Sequence, residues 1–265
     1  MPKNPTQPNP LVPPTIIDPR TVEARLTALD PRARLARLPQ APHGVSWSLV
    51  GIVLILLVGF MAKWAPGFAQ SELVVDQVLS RHEDEPLTAL ALGINVVLSP
   101  PGIVIILVVS FLFLLLVRRA PVNAFAFATV AGIGWLSSEF FKLVVAMPRP
   151  NGHLLQHPLL AESGQDSFPS GHTTFAVAFA IAVYFLAHET RWRRFAAVGG
   201  VLFVFAVGAS RVYAGAHYPS DVLGSVLVGA SIIGLYTAIW NRYGLRVLAR
   251  ITVLRRIGPV PPADV

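Results

Sequence analysis

Three short patterns in this chain set cations, imidazoles and a carboxylate at spacings that suit the handling of a phosphate group. Lys142 is followed, after six intervening residues, by Arg149-Pro150; Pro169-Ser170-Gly171-His172 comes next; and Ser210-Arg211 leads through His217 to Asp221. Lys142, Arg149 and Arg211 offer one compact ammonium and two planar forks that grip phosphate oxygens in pairs. Ser170 and Gly171 open an apolar run, so they are expected at a helix N-terminus, where backbone N–H groups and the positive dipole end favour an anion. Asp221 lies four residues beyond His217, one helical turn away, and a carboxylate that holds Nδ1–H leaves Nε2 as a nucleophile. His172 can then protonate a leaving oxygen while His217 attacks from the opposite side, a division of labour suited to in-line phosphoryl transfer.

Each pattern alone has a plain structural reading. Lys142 can snorkel to an interface, Pro-Ser-Gly is an ordinary cap sequence, and His-x3-Asp can be a boundary hydrogen bond. What favours chemistry is the occurrence of all three, in separate loops on one side of a set of apolar spans.

Those spans are the elements that must position the residues. The chain reads as all-α, a six-span transmembrane helix bundle: Ser46 to Trp64, Leu87 to Val117, Asn123 to Val145, Ser170 to Ala187, Phe195 to Ala209 and Val222 to Trp240. Pro219 suits the first turn of the last helix. Pro100 and Pro101 are expected to kink the second span, or to separate an interfacial helix from a shorter span. Small-residue pairs such as Gly132 with Gly134 and Ala230 with Gly234 read as close helix packing.

Composition agrees with a membrane protein: 54% of the 265 residues are hydrophobic and 13% charged. Cys is absent, which excludes disulfides and thiolate metal sites. The net charge of +7 does not point to a nucleic-acid partner, because the basic residues are sorted by membrane side rather than clustered on a soluble face. Sixteen of the 21 Lys and Arg residues fall in the N-terminal tail, the turns at Arg118-Arg119 and Arg191 to Arg194, and the C-terminal end. By the positive-inside rule both termini are expected in the cytoplasm. Lys142, Arg149 and Arg211 break that rule together on the opposite, extracytoplasmic side, which calls for a local reason.

The expected organisation is a Pro/Arg-rich cytoplasmic tail at 1–45, a membrane domain at 46–240 and a basic cytoplasmic tail at 241–265. Within the first tail, Thr21 to Leu29 and Arg32 to Leu38 can form short amphipathic helices on anionic lipid, or remain a disordered tail. Glu139, one turn before Lys142, reads as an ion-pair partner, and His153 with His157 as part of a solvated or gating loop.

The set Lys142-x6-Arg149-Pro150, Pro169-Ser170-Gly171-His172 and Ser210-Arg211-x5-His217-x3-Asp221 resembles the tripartite signature of the type 2 phosphatidic acid phosphatase superfamily, with every signature position matched. The resemblance, which extends over about residues 46–240, implies a metal-independent membrane phosphatase with no cofactor. It implies that His217 is phosphorylated, Asp221 supports it, His172 acts as general acid and then helps activate water, and Lys142, Arg149, Ser170, Gly171 and Arg211 hold the phosphate. A site at the mouth of a helix bundle can take a headgroup while the chains stay in lipid, so the expected partner is a lipid phosphate or diphosphate. Polyprenyl diphosphate, phosphatidylglycerophosphate and phosphatidic acid all fit. A phosphotransferase passing the group to a lipid or sugar acceptor, a vanadate haloperoxidase, and a non-catalytic lipid-phosphate binder or transporter are the competing readings; six spans argue against the haloperoxidase, and the second histidine against the binder.

Overall fold

The structure, a computed structural model, describes residues 30–81, 84–160 and 162–262; the candidate helix from Thr21 to Leu29 lies outside them. The described residues form helices and no strand. In chain order they are a 3-10 turn (Pro31–Ala36), α1 (Gly44–Trp64), α2 (Phe68–Ser80), α3 (Glu85–Val97), α4 (Pro100–Leu112, continued by a wider turn at Phe113–Val117), α5 (Pro121–Val145), a second 3-10 turn (Gly152–Leu154), α6 (Gly171–Ala187), α7 (Arg193–Tyr213), α8 (Pro219–Arg250) and α9 (Leu254–Ile257).

Among the described residues, five helical segments are long and apolar enough to cross a membrane: Gly44–Trp64, Pro100–Val117, Pro121–Val145, Arg193–Tyr213 and Pro219–Arg250. The helix α6, expected as a further span, has 17 residues and falls among the shorter apolar helices. The expected second span is divided. Pro100 lacks an N–H to continue a helix and so starts α4, with Ser99 Oγ accepting from the Gly102 N–H at 3.4 Å; the residues before it form the separate α3. Large apolar side chains such as Leu57 on α1, Ile105 on α4 and Phe205 on α7 face away from the bundle. In water such a surface would drive association, whereas hydrocarbon accepts it, and the protein is an integral membrane protein.

The centre of the bundle is α5, α6 and α8, with α1 laid on α8, α7 on α6 and α4 on α5. Close approach depends on small residues: a Cβ on Gly234 would collide with Ser48 Oγ, and one on Gly134 with Ala178. At one end of the bundle the segment expected as an amphipathic helix at Arg32 to Leu38, within the N-terminal tail, is packed into the core rather than lying on a lipid surface, because Ala33, Leu35 and Leu38 bury against α5, α6 and α8. Asn123 and Asn241 bind its backbone, and Arg34 Nη1 donates to the Leu186 carbonyl at 2.9 Å. The last helix runs past Trp240 to Arg250, and Leu254 and Val260 join the same cluster. The basic turns and both described chain ends therefore gather at one end, and the three sequence patterns at the other.

Candidate active site

The start of α8 builds the core of the site. Pro219 occupies its first turn, where a missing N–H costs nothing, so the chain enters the helix with Tyr218 as the capping residue. Asp221 then lies in the first turn, where the helix dipole favours a negative charge. Its Oδ2 accepts from the Ser167 hydroxyl at 2.5 Å and from the Tyr218 N–H at 2.9 Å, and faces His217 Nδ1 at 3.2 Å. Asp221 is fully buried and His217 nearly so. Burial holds the His217 imidazole below the ordinary histidine range; Asp221 opposes that shift and the Arg149 charge reinforces it. A neutral ring whose Nδ1–H is held by Asp221 presents the Nε2 lone pair, and Arg149 Nη1 lies 3.4 Å from that nitrogen.

The cations come from three elements. Arg149 follows α5: Nε donates to Asp166 Oδ1 at 2.9 Å, Nη2 to Asp166 Oδ2 at 3.2 Å, and Nη1 to Glu162 and, at 3.1 Å, to the Ala216 carbonyl. Burial works against the Arg149 charge, but the Asp166 hydrogen bond and the Glu162 and Asp166 carboxylates outweigh it and raise the guanidinium above its usual value. Asp166 is in turn held below the usual carboxylate range, chiefly by its hydrogen bond to Arg149. Lys142, in the last turn of α5, donates to Glu139 Oε1 at 2.9 Å. Arg211, near the end of α7, is fully buried; it reaches Asn95 Oδ1 at 2.8 Å, the Ala91 carbonyl at 3.1 Å and Ser210 Oγ at 3.4 Å. Those acceptors are neutral, so Arg211 keeps a net charge that an anion can offset.

The third contribution is the N-terminus of α6. Ser170 caps it, with Oγ accepting from the Thr173 N–H at 3.4 Å, and is tied to α8 by a bond from its own N–H to the Asp221 carbonyl and one from Ser225 Oγ to its carbonyl at 3.0 Å. Gly171 carries no side chain where Lys142 Nζ comes within 3.4 Å of its would-be Cβ, so the ammonium sits at the open helix end. His172 lies within electrostatic range of Arg211, His217 and Lys142, and its buried Nε2 has no partner among the described residues.

All eight residues singled out in the sequence therefore meet at one end of the bundle. Lys142 lies beside Gly171, Arg149 beside His217, Ser170 beside Asp221, and Arg211 within range of His172. Glu139 pairs with Lys142 as expected. Sequence reasoning missed Ser167, which grips Asp221; Asn95, which positions Arg211; and Glu162 and Asp166, which engage Arg149. Ser167 lies two residues before the second pattern, but a serine there carries no signal of its own. An apolar cleft of about 740 Å³ between α6, α7 and α8 runs up to Val212 and Pro219, the neighbours of Arg211 and Tyr218.

A family model described as PAP2 superfamily matches residues 120–244, the segment that carries all three patterns. An undecaprenyl-diphosphatase of Bacillus subtilis is 39% identical over 109 residues, 41% of this chain and 53% of that protein. A lipid A 1-phosphatase of Rhizobium johnstonii is 33% identical over 129 residues, 47% of this chain and 50% of that protein. The matched region thus spans about half the length of these relatives. Among solved structures, a transmembrane PAP2 type phosphatidylglycerolphosphate phosphatase of Bacillus subtilis superposes with a TM-score of 0.61 at 20% identity, covering 74% of this chain and 96% of that one, which establishes a shared fold.

Proposed function

We propose, from the premise that this chain belongs to the PAP2 superfamily through residues 120–244, that it is a membrane phosphatase that hydrolyses a lipid phosphate or diphosphate through a phosphohistidine. The observation that carries the reading is the buried Asp221–His217 pair, with Nδ1 engaged and Nε2 turned toward Arg149. In the first step Nε2 of His217 attacks phosphorus while His172 delivers a proton to the departing oxygen, so the P–O bond breaks as the P–N bond forms. Lys142, Arg149, Arg211 and the Ser170–Gly171 helix start hold the phosphoryl oxygens and offset their charge. In the second step His172 takes a proton from water as the water oxygen displaces His217, releasing phosphate.

The membrane arrangement belongs to the same proposal. We read residues 46–240 as the catalytic bundle and α6 as its sixth crossing: at 17 residues it lies at the short end of the range that spans a bilayer, and it packs at the centre of the bundle. The tails 1–45 and 241–265 then lie in the cytoplasm, as the charge distribution favours, and the site opens on the extracytoplasmic face. The apolar cleft ending at Val212 and Pro219 would let a long hydrocarbon chain remain in lipid beside the headgroup. Polyprenyl diphosphates rank first among substrates, because the undecaprenyl-diphosphatase of Bacillus subtilis is more identical to this chain than the lipid A 1-phosphatase of Rhizobium johnstonii is. The test is phosphate release from a panel of polyprenyl diphosphates, phosphatidylglycerophosphate and phosphatidic acid, with chelator present. Release from at least one, lost in His217→Ala, is expected; no release from any lipid, or release unaffected by His217→Ala, overturns the reading.

A further inference from the structure

The helix α2 is built inside out for a water-facing element. Val74, Val75 and Val78 point away from the bundle, while Asp76 and Ser80 are buried against it. Glu72, one turn before Asp76, accepts the Ser220 N–H at 2.7 Å and the Ser220 hydroxyl at 2.6 Å. Ser220 directly precedes Asp221, so Glu72 fastens the turn on which the His217–Asp221 pair depends. Asp76 is 1% exposed, and neither of its carboxyl oxygens has a partner among the described residues.

The groups around Asp76 leave its charge without compensation. Glu72 on its own helix and Asp221 on α8 are acidic, and Tyr218 is a neutral phenol. The cations of the neighbouring elements bond other groups and none bonds Asp76: Lys63 of α1 reaches the Val145 carbonyl, Arg211 of α7 reaches Asn95 and Ala91, and Arg149 reaches Glu162 and Asp166. Tyr213 of α7 bonds Thr88 at 3.0 Å. Three ionised carboxylates at one helix start would repel each other with no cation bonded to the buried one.

We propose that α2 is a clamp on the start of α8, with Glu72 as a positioning residue for the His217–Asp221 pair and Asp76 as a carboxylic acid whose proton keeps the clamp seated. Burial, then the Asp221 and Glu72 charges, push Asp76 up to about 8. An acid whose seated pKa is raised favours the seated state most at pH values below its ordinary range. That preference is lost progressively as pH rises, and is gone above about 8. Ionised Asp76 must be hydrated, which lifts α2 from the bundle and loosens Ser220 and Asp221. The outward valines keep the released helix at the lipid interface rather than in bulk water.

The proposal rests on the phosphatase reading for its catalytic consequence, but its seating step is measurable without catalysis. Amide exchange of the full chain in lipid nanodiscs, corrected for intrinsic rates, is followed between about pH 6 and 9. Protection of Phe68–Ser80 should fall as pH rises and level off above about 8, and Asp76→Asn should flatten the curve. Wild-type protein with no such fall overturns the clamp even if no variant can be purified, and an Asp76→Asn curve identical to wild type overturns the role of Asp76. On a lipid phosphate, Glu72→Ala should lower kcat about tenfold with KM within twofold, and Glu72→Gln should restore most of it. An unchanged kcat in Glu72→Ala, or a loss that glutamine does not rescue, overturns the positioning role. Should the protein release no phosphate from any lipid, the proposed function fails while the exchange curves still decide the clamp.

Discussion

The two ends of the bundle handle buried polar groups in opposite ways. At the end that holds the basic segments, Asn123 Oδ1 accepts the Leu35 N–H at 2.9 Å while its Nδ2 donates to the Pro31 carbonyl at 3.0 Å. Asn241 does the same for both backbone groups of Leu38, and Trp240 Nε1 donates to the Leu35 carbonyl at 2.9 Å. Polar atoms there are satisfied and sealed by Ala33, Leu35 and Leu38. At the other end, Asp221 Oδ1, His172 Nε2 and both oxygens of Asp76 are buried without partners among the described residues, and Arg211 is held by neutral acceptors. Leaving such groups unsatisfied costs about 1–3 kcal/mol each, which the proposed phosphate site would offset on binding, whereas the closed end contributes stability.

Substitutions should separate the two ends. The largest effect is expected for His217→Ala, which removes the proposed nucleophile: phosphate release should fall by at least about a thousandfold while the thermal midpoint stays near wild type. A collapse of both together would mean that the open end is structural. Asp221→Asn should follow, with about a hundredfold loss, since the amide no longer fixes the imidazole. Removing the negative charge that supports protonation should also move the acid limb of kcat/KM, already below the ordinary histidine range through burial, further toward low pH. A shift of that limb to higher pH would contradict the neutral-imidazole account. Arg149→Lys keeps a charge but loses the fork that pairs with Asp166, and about a tenfold fall in kcat/KM is expected, rescued by no change in salt. Asn123→Leu should leave kcat within about twofold and instead lower stability by about 1–3 kcal/mol, because the buried Leu35 N–H loses its acceptor. A large kcat loss in that variant would erase the distinction between the ends.

The same contrast explains what could be read from the residues alone. Lys142, Arg149 and Arg211 were legible because charge on the wrong side of apolar spans conflicts with the positive-inside pattern, and the His217–Asp221 pair because a four-residue spacing maps onto one turn. Ser167, Asn95, Glu72 and Asp76 were not, because each acts across the fold on a partner at no fixed separation: Asn95 on Arg211 and Glu72 on Ser220. Arg32 to Leu38 reads as an amphipathic helix on lipid or a disordered tail, yet Leu35 and Leu38 meet the side chains of Asn123, Trp240 and Asn241, an arrangement that no local periodicity encodes. The division of the second span followed one of two readings of Pro100–Pro101, and only packing of α3 on α7 decides between them.

The central claim is that the His217 ring carries the phosphoryl group while His172 serves its formation and release. The most direct measurement is an alkaline quench of the His172→Ala variant during turnover of a phosphate-labelled polyprenyl diphosphate, followed by peptide mapping. The account predicts label on the peptide that contains His217, abolished by a second substitution at that position. Label on any other residue would contradict it.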